Sequence, residues 1–111
     1  MATKKNDSIK ISNALGDLGI VYRFSGDLYK SSKLLEQQLE QTREIHFKAG
    51  EGKALWELSQ TQFLQGKYEL AISNAEKARE IKIKLSDPVS DEISEELSKW
   101  KNYIELTTAS S

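Results

Sequence analysis

The side chains able to do chemistry are few, and their spacing does not assemble them. The single histidine, His46, stands at the end of a helical run beside a turn, and cysteine is absent. A zinc ion would need two or three further nitrogen or sulfur ligands that the chain does not possess. Without thiols there are also no disulfides and no thiolate nucleophile. Carboxylates are plentiful, but Glu36, Glu40 and Glu44 recur every four residues, which puts them on one solvated helix face. Gly16, Gly19 and Gly26 follow no strand, so they do not form a phosphate-cradling loop. These residues predict no catalytic site, no metal site and no cofactor. The protein is therefore read as not an enzyme.

What the sequence does contain is a repeat. The passage ALGDLGIVYRFSGDLY (Ala14 to Tyr29) is answered forty residues later by ALWELSQTQFLQGKYE (Ala54 to Glu69), with no insertion or deletion. Ala14 recurs as Ala54, Leu15 as Leu55, Leu18 as Leu58 and Gly26 as Gly66, while Ser31 is answered by Ala71. A fixed period of a few tens of residues is the mark of a stacked array of small units. Forty residues suit one helix, turn, helix and turn.

Composition limits the partners. A chain of 111 residues is a single domain by length. Its apolar fraction of 38% lies below the roughly 45–50% of ordinary globular chains, as an elongated stack with much surface would require. Sixteen basic and 17 acidic residues leave a net charge of −1, so no long-range field favours nucleic acid or an anionic membrane. No apolar run approaches the length of a signal peptide core or a membrane span. A cytoplasmic setting is the expectation.

The elements follow from periodicity. Residues 1–7 are polar and charged and are expected to be disordered, with Asp7 or Ser8 capping the first helix. Ile11, Leu15, Leu18 and Tyr22 form its stripe, and Gly26 ends it in a left-handed turn. A second helix runs from about Leu28 to His46, and HFKAG is read as the turn to the next unit. A third helix is expected over Glu51 to Leu64 and a fourth over Tyr68 to Leu85, where IKIKL alternates like a strand but aligns with a helix of the first unit. Asp87-Pro88 breaks the chain. A last helix, capped by Ser90 or Asp91, carries Ile93, Leu97, Trp100 and Ile104 and is expected to cover the exposed flank of the array over residues 89–106. Residues 107–111 should fray. Gly19 and Ser59, with Ser31 and Ala71, are small enough to let paired helices approach closely.

These motifs resemble the tetratricopeptide repeat (TPR). A large residue opens the first helix of each unit (Leu15, Leu55), Leu18-Gly19 and Leu58-Ser59 follow, an aromatic stands at Tyr22, glycine marks the turns at Gly26 and Gly66, and a small residue begins the second helix at Ser31 and Ala71. The spacing is similar to that of kinesin light chains and bacterial multi-repeat proteins, and the resemblance covers about Asn13 to Pro88. Gln62 stands where the aromatic of Tyr22 should recur, and Gln38 occupies a position usually small. The resemblance implies an all-α helical-repeat solenoid of two helix-turn-helix units, 8–47 and 48–88, plus a C-terminal capping helix.

In that family the inner helices line a concave groove. Its ligand-facing positions fall here on Asn13, Gly16, Asp17, Ile20, Arg23 and Phe24, and on Lys53, Trp56, Glu57, Gln60, Phe63 and Leu64. Aromatic residues with an arginine are the usual anchors of binding energy; the alternative for Trp56 and Phe63 is packing against the neighbouring inner helix. Chaperone-binding members clamp a terminal carboxylate with a lysine and an asparagine, where this chain has Gly16 and Ile20, so that ligand class is not expected. The leading functional reading is a module that binds a partner protein or peptide through the groove. The alternative is a self-assembly (homo-oligomerisation) module, or a piece of a longer TPR array, because two repeats fall short of the three usually needed for stability and Ile9 and Ile11 lie at an uncovered front.

Overall fold

The computed structural model describes residues 2–109 and places them in five α-helices: α1 (Ala2–Ser25), α2 (Leu28–Glu44), α3 (Lys48–Leu64), α4 (Tyr68–Lys84) and α5 (Val89–Ala109). Among the described residues there is no strand, and IKIKL is helical up to Lys84. Each helix packs on the next, and α1 also touches α3, so two hairpins stack side by side with α5 laid across α4. The stack measures 57 × 31 × 18 Å.

Four corners of one kind join the helices. At the first, the Asp27 N–H donates to the Tyr22 carbonyl at 2.9 Å and the Gly26 N–H to that of Arg23 at 3.1 Å. This pattern satisfies carbonyls that the helix end leaves open, and it requires a left-handed residue. It recurs at His46, Gly66 and Ser86, with φ of 55°, 81° and 56° beside 92° at Gly26. Glycine takes this shape freely; histidine and serine hold it against a Cβ clash.

Between paired helices the fit depends on missing atoms. A Cβ on Gly19 would lie 2.6 Å from Leu35 Cγ, and one on Gly52 2.9 Å from Ile81 Cγ2. Gly19 thus sets the close approach of α1 to α2, as its spacing predicts. The main core gathers Leu55, Trp56, Ala71, Ala75, Ala78, Ile93, Leu97 and Trp100 from α3, α4 and α5. Buried hydroxyls are bonded: Ser31 Oγ meets Thr61 Oγ1 at 2.9 Å across the α2–α3 seam, and Ser59 Oγ donates to the Trp56 carbonyl at 2.7 Å.

Several boundaries differ from the sequence-based expectations. Residues 2–7, expected to be disordered, form the first turns of α1. The segment contains no proline or glycine, and Lys4, Lys5 and Ser8 line a shallow recess against Ile45 at the end of α2; Met1 lies outside the described residues. The inter-unit turn is shorter than HFKAG, because Lys48, Ala49 and Gly50 already belong to α3. Gly50 lies so close to Phe47 and Thr42 that no Cβ fits. The cap of α5 is Asp87, not Ser90 or Asp91: its Oδ1 accepts the Val89 N–H at 3.0 Å. At the far end residues 107–109 continue α5, with Thr107 and Thr108 bonding back to the Ile104 carbonyl; residues 110–111 lie outside the described residues.

Candidate partner-binding surface

The first helices of the two hairpins, α1 and α3, run side by side, and α5 occupies the equivalent place after α4. Their shared side is where the sequence-predicted contacts must be judged.

Two of those contacts belong to each other. The Arg23 guanidinium bridges to Glu57 Oε1 at 3.0 Å and donates to the Glu57 carbonyl at 3.2 Å, with both side chains largely buried. Gln60 Nε2 reaches the second carboxylate oxygen at 3.4 Å. Arg23, Glu57 and Gln60 thus form one network that ties α1 to α3. Since their polar groups are already engaged, little is left of them to grip a ligand.

Trp56 is likewise enclosed, and Phe63 is half-buried. Trp56 is a core residue, its ring 5.8 Å from Trp100, and Phe63 stacks on Trp100 at 4.6 Å with the planes 11° apart. Phe63 also packs against Tyr68 at 4.9 Å and Tyr103 at 5.8 Å. The expectation that Trp56 faces an open groove is therefore corrected, because α5 brings Trp100 against it; Phe63, half-buried, packs on the same ring. Sequence reasoning placed Trp100 on the stripe of α5 but not against α3, since nothing in one helix announces how far across a seam a large ring reaches.

Gly16, also expected at the groove, is buried against Gln38 on α2, whereas the other residues lie outside or half outside. Asn13, Asp17, Phe24 and Lys53 are exposed and Ile20 half-buried, and Lys53 Nζ stands 3.9 Å from Asp17 Oδ1. Phe24 is 82% exposed, with the Arg23 guanidinium 5.5 Å from its ring centroid. Leu64 holds the same place on α3 and Tyr103 on α5, at 60% and 47% exposure. Phe24 and Leu64 thus hold equivalent positions at the C-terminal ends of α1 and α3, and Tyr103 holds the position that the same alignment gives on α5, six residues before that helix ends. Tyr103 was missed from the sequence, and the signal was the matching of α5 to α3 through Ile93, Leu97 and Trp100 against Ala54, Leu58 and Thr61. Exposed side chains of this kind are unremarkable singly.

His46 is exposed and occupies a left-handed corner. Among the described residues no helix is long and apolar enough to cross a membrane.

A family model described as tetratricopeptide repeat matches residues 10–84, from the middle of α1 to the last residue of α4. No curated protein matches the sequence. Repeats of this type generally serve as non-enzymatic scaffolds that mediate protein–protein interaction. With more than half of its length matched and its helices stacked as paired hairpins, the chain belongs to the tetratricopeptide-repeat family.

Proposed function

We propose that the protein binds a partner peptide or protein segment across α1, α3 and α5, with Phe24, Leu64 and Tyr103 as apolar anchors. The observation that carries this reading is three large side chains at equivalent positions, all exposed, of which Tyr103 alone also packs on Phe63 and Tyr68. Asn13, Asp17, Ile20 and Lys53 supply a flanking surface of mixed polarity, and the Asp17–Lys53 pair offers a charge of each sign. An extended or helical segment with apolar residues spaced to match adjacent helices, about 8–10 Å apart, fits such a row. Arg23, Glu57, Trp56 and Phe63 act beneath it by holding the three helices in register.

The test is a displayed peptide library panned against the protein. Enriched sequences should share spaced apolar residues, and Phe24→Asp should weaken their binding about tenfold or more while helicity stays unchanged. Peptides bound equally well by Phe24→Asp and Leu64→Asp would refute the row as the site.

A further inference from the structure

The two ends of the stack are finished differently. Where α3 meets its own second helix through Gly52, Leu55, Ser59 and Gln62, the equivalent positions of α5 are Asp91, Ser94, Ser98 and Lys101, three of them exposed and none apolar. That end is closed by polarity. The front end is not: Ile11, Leu18 and Val21 on α1 are 54%, 48% and 61% exposed, with Ala14 exposed between them.

The molecule itself shows what such a face is for. On α3 the corresponding residues Ala54, Leu58 and Thr61 are 0%, 3% and 0% exposed, because α2 lies over them, joined through the Ser31–Thr61 hydroxyl pair and the bond from Gln65 Nε2 to the Leu28 carbonyl. Moreover, the uncovered face is the more apolar of the two. Glu51, which on α3 pairs with Arg43 and Lys48, is replaced on α1 by Ile11, and Thr61 by Val21. A face meant for water would have changed in the opposite sense.

We propose that this face is the interface of a homodimer, in which α1 packs antiparallel against α1 of a second copy about a two-fold axis. Three features select a second copy. Head-to-tail stacking is closed off, since the outer side of α5 presents Asp91, Ser98 and Lys101. The stripe is self-complementary: the spacing 11, 14, 18, 21 reads the same in both directions, so Ile11 meets Val21 of the partner subunit and the small Ala14 meets the large Leu18 of the partner subunit. Its four positions carry no charge, and Asp17, which flanks the stripe near the axis, is accompanied by Lys53 at 3.9 Å, so the two aspartates do not meet uncompensated in an isologous contact. About three helical turns of contact fall below the roughly 800 Å² per partner of a standard stable complex. The dimer is accordingly a weak one, to be sought at high protein concentration.

Sedimentation equilibrium on the full chain up to several hundred micromolar tests this. The wild type should pass from monomer to dimer, and Leu18→Glu, at a half-exposed position outside the row of Phe24, Leu64 and Tyr103, should remain monomeric with unchanged circular dichroism. The chain has no cysteine of its own, which permits a register test that does not depend on that variant. A mixture of Ala14→Cys and Leu18→Cys should cross-link under mild oxidation faster than either variant by itself. A strict monomer at the highest concentration overturns the proposal. So does a dimer that survives Leu18→Glu and cross-links equally in all three samples.

Discussion

Gln38 is wholly buried on α2, and neither its amide nitrogen nor its amide oxygen has a partner within the protein. Its side chain fills the space left by Gly16 on α1, where no Cβ fits. One repeat later the sizes are exchanged, for Trp56 stands at the position of Gly16 and Ala78 at that of Gln38. Volume is shared across the seam, so a large residue on one helix requires a small one opposite. Trp56 was assigned to the groove because it falls on a ligand-facing position of the family, and the departure already visible at Gln38 was the compensating half of this exchange. Gln38→Met keeps the length and removes two unsatisfied groups. It should raise the unfolding free energy by about 1–3 kcal/mol in urea titration; a fall would show that the amide is satisfied in the native state.

At the scale of elements, α5 is held at its start by Asp87. The Val89 N–H, and next the Lys82 ammonium at 3.1 Å, hold this carboxyl below the usual aspartate range. A carboxylate whose value is lower in the folded state contributes stability that is complete above its unfolded value and is lost as pH falls through the lowered one. Wild type should therefore be more stable than Asp87→Asn at neutral pH, and the difference should shrink to nothing in acid. Intrinsic fluorescence is a suitable measure, since both tryptophans, Trp56 and Trp100, lie at the α5 seam. A difference that persists unchanged at low pH would contradict the assignment. The helices themselves were legible: stripes, turn glycines and the Asp87-Pro88 break located all five. Their starts were less so, because capping depends on which side chain folds back, and Asp87, Ser90 and Asp91 are alike in type. The polar composition of residues 2–7 likewise says nothing of the recess that Lys4 and Lys5 share with Ile45.

Across the whole molecule, the network of Arg23, Glu57 and Gln60 is the enclosed polar tie between the inner helices of neighbouring hairpins, beside the exposed Asp17–Lys53 pair. Removing one partner leaves an enclosed charge unmatched, so Arg23→Ala should lower stability by about 3 kcal/mol and broaden the unfolding transition as the hairpins uncouple. A loss near zero would mean that water replaces the guanidinium. Residue type could not separate this role from ligand contact, because an arginine near an aromatic suits both, and only the placement of Glu57 on the adjacent helix decides. The four left-handed corners at residues 26, 46, 66 and 86 bear on how the gene can change length. Since α2, α3 and α4 each have 17 residues, the corners fall at matching levels and the edges of the stack are flush. One codon added inside a helix would turn every later side chain by about 100° and drive its oily seam into solvent. The same codon added at a corner would only loosen a hinge, so lineages of this chain should carry their insertions at the corners and keep their helices in strict count.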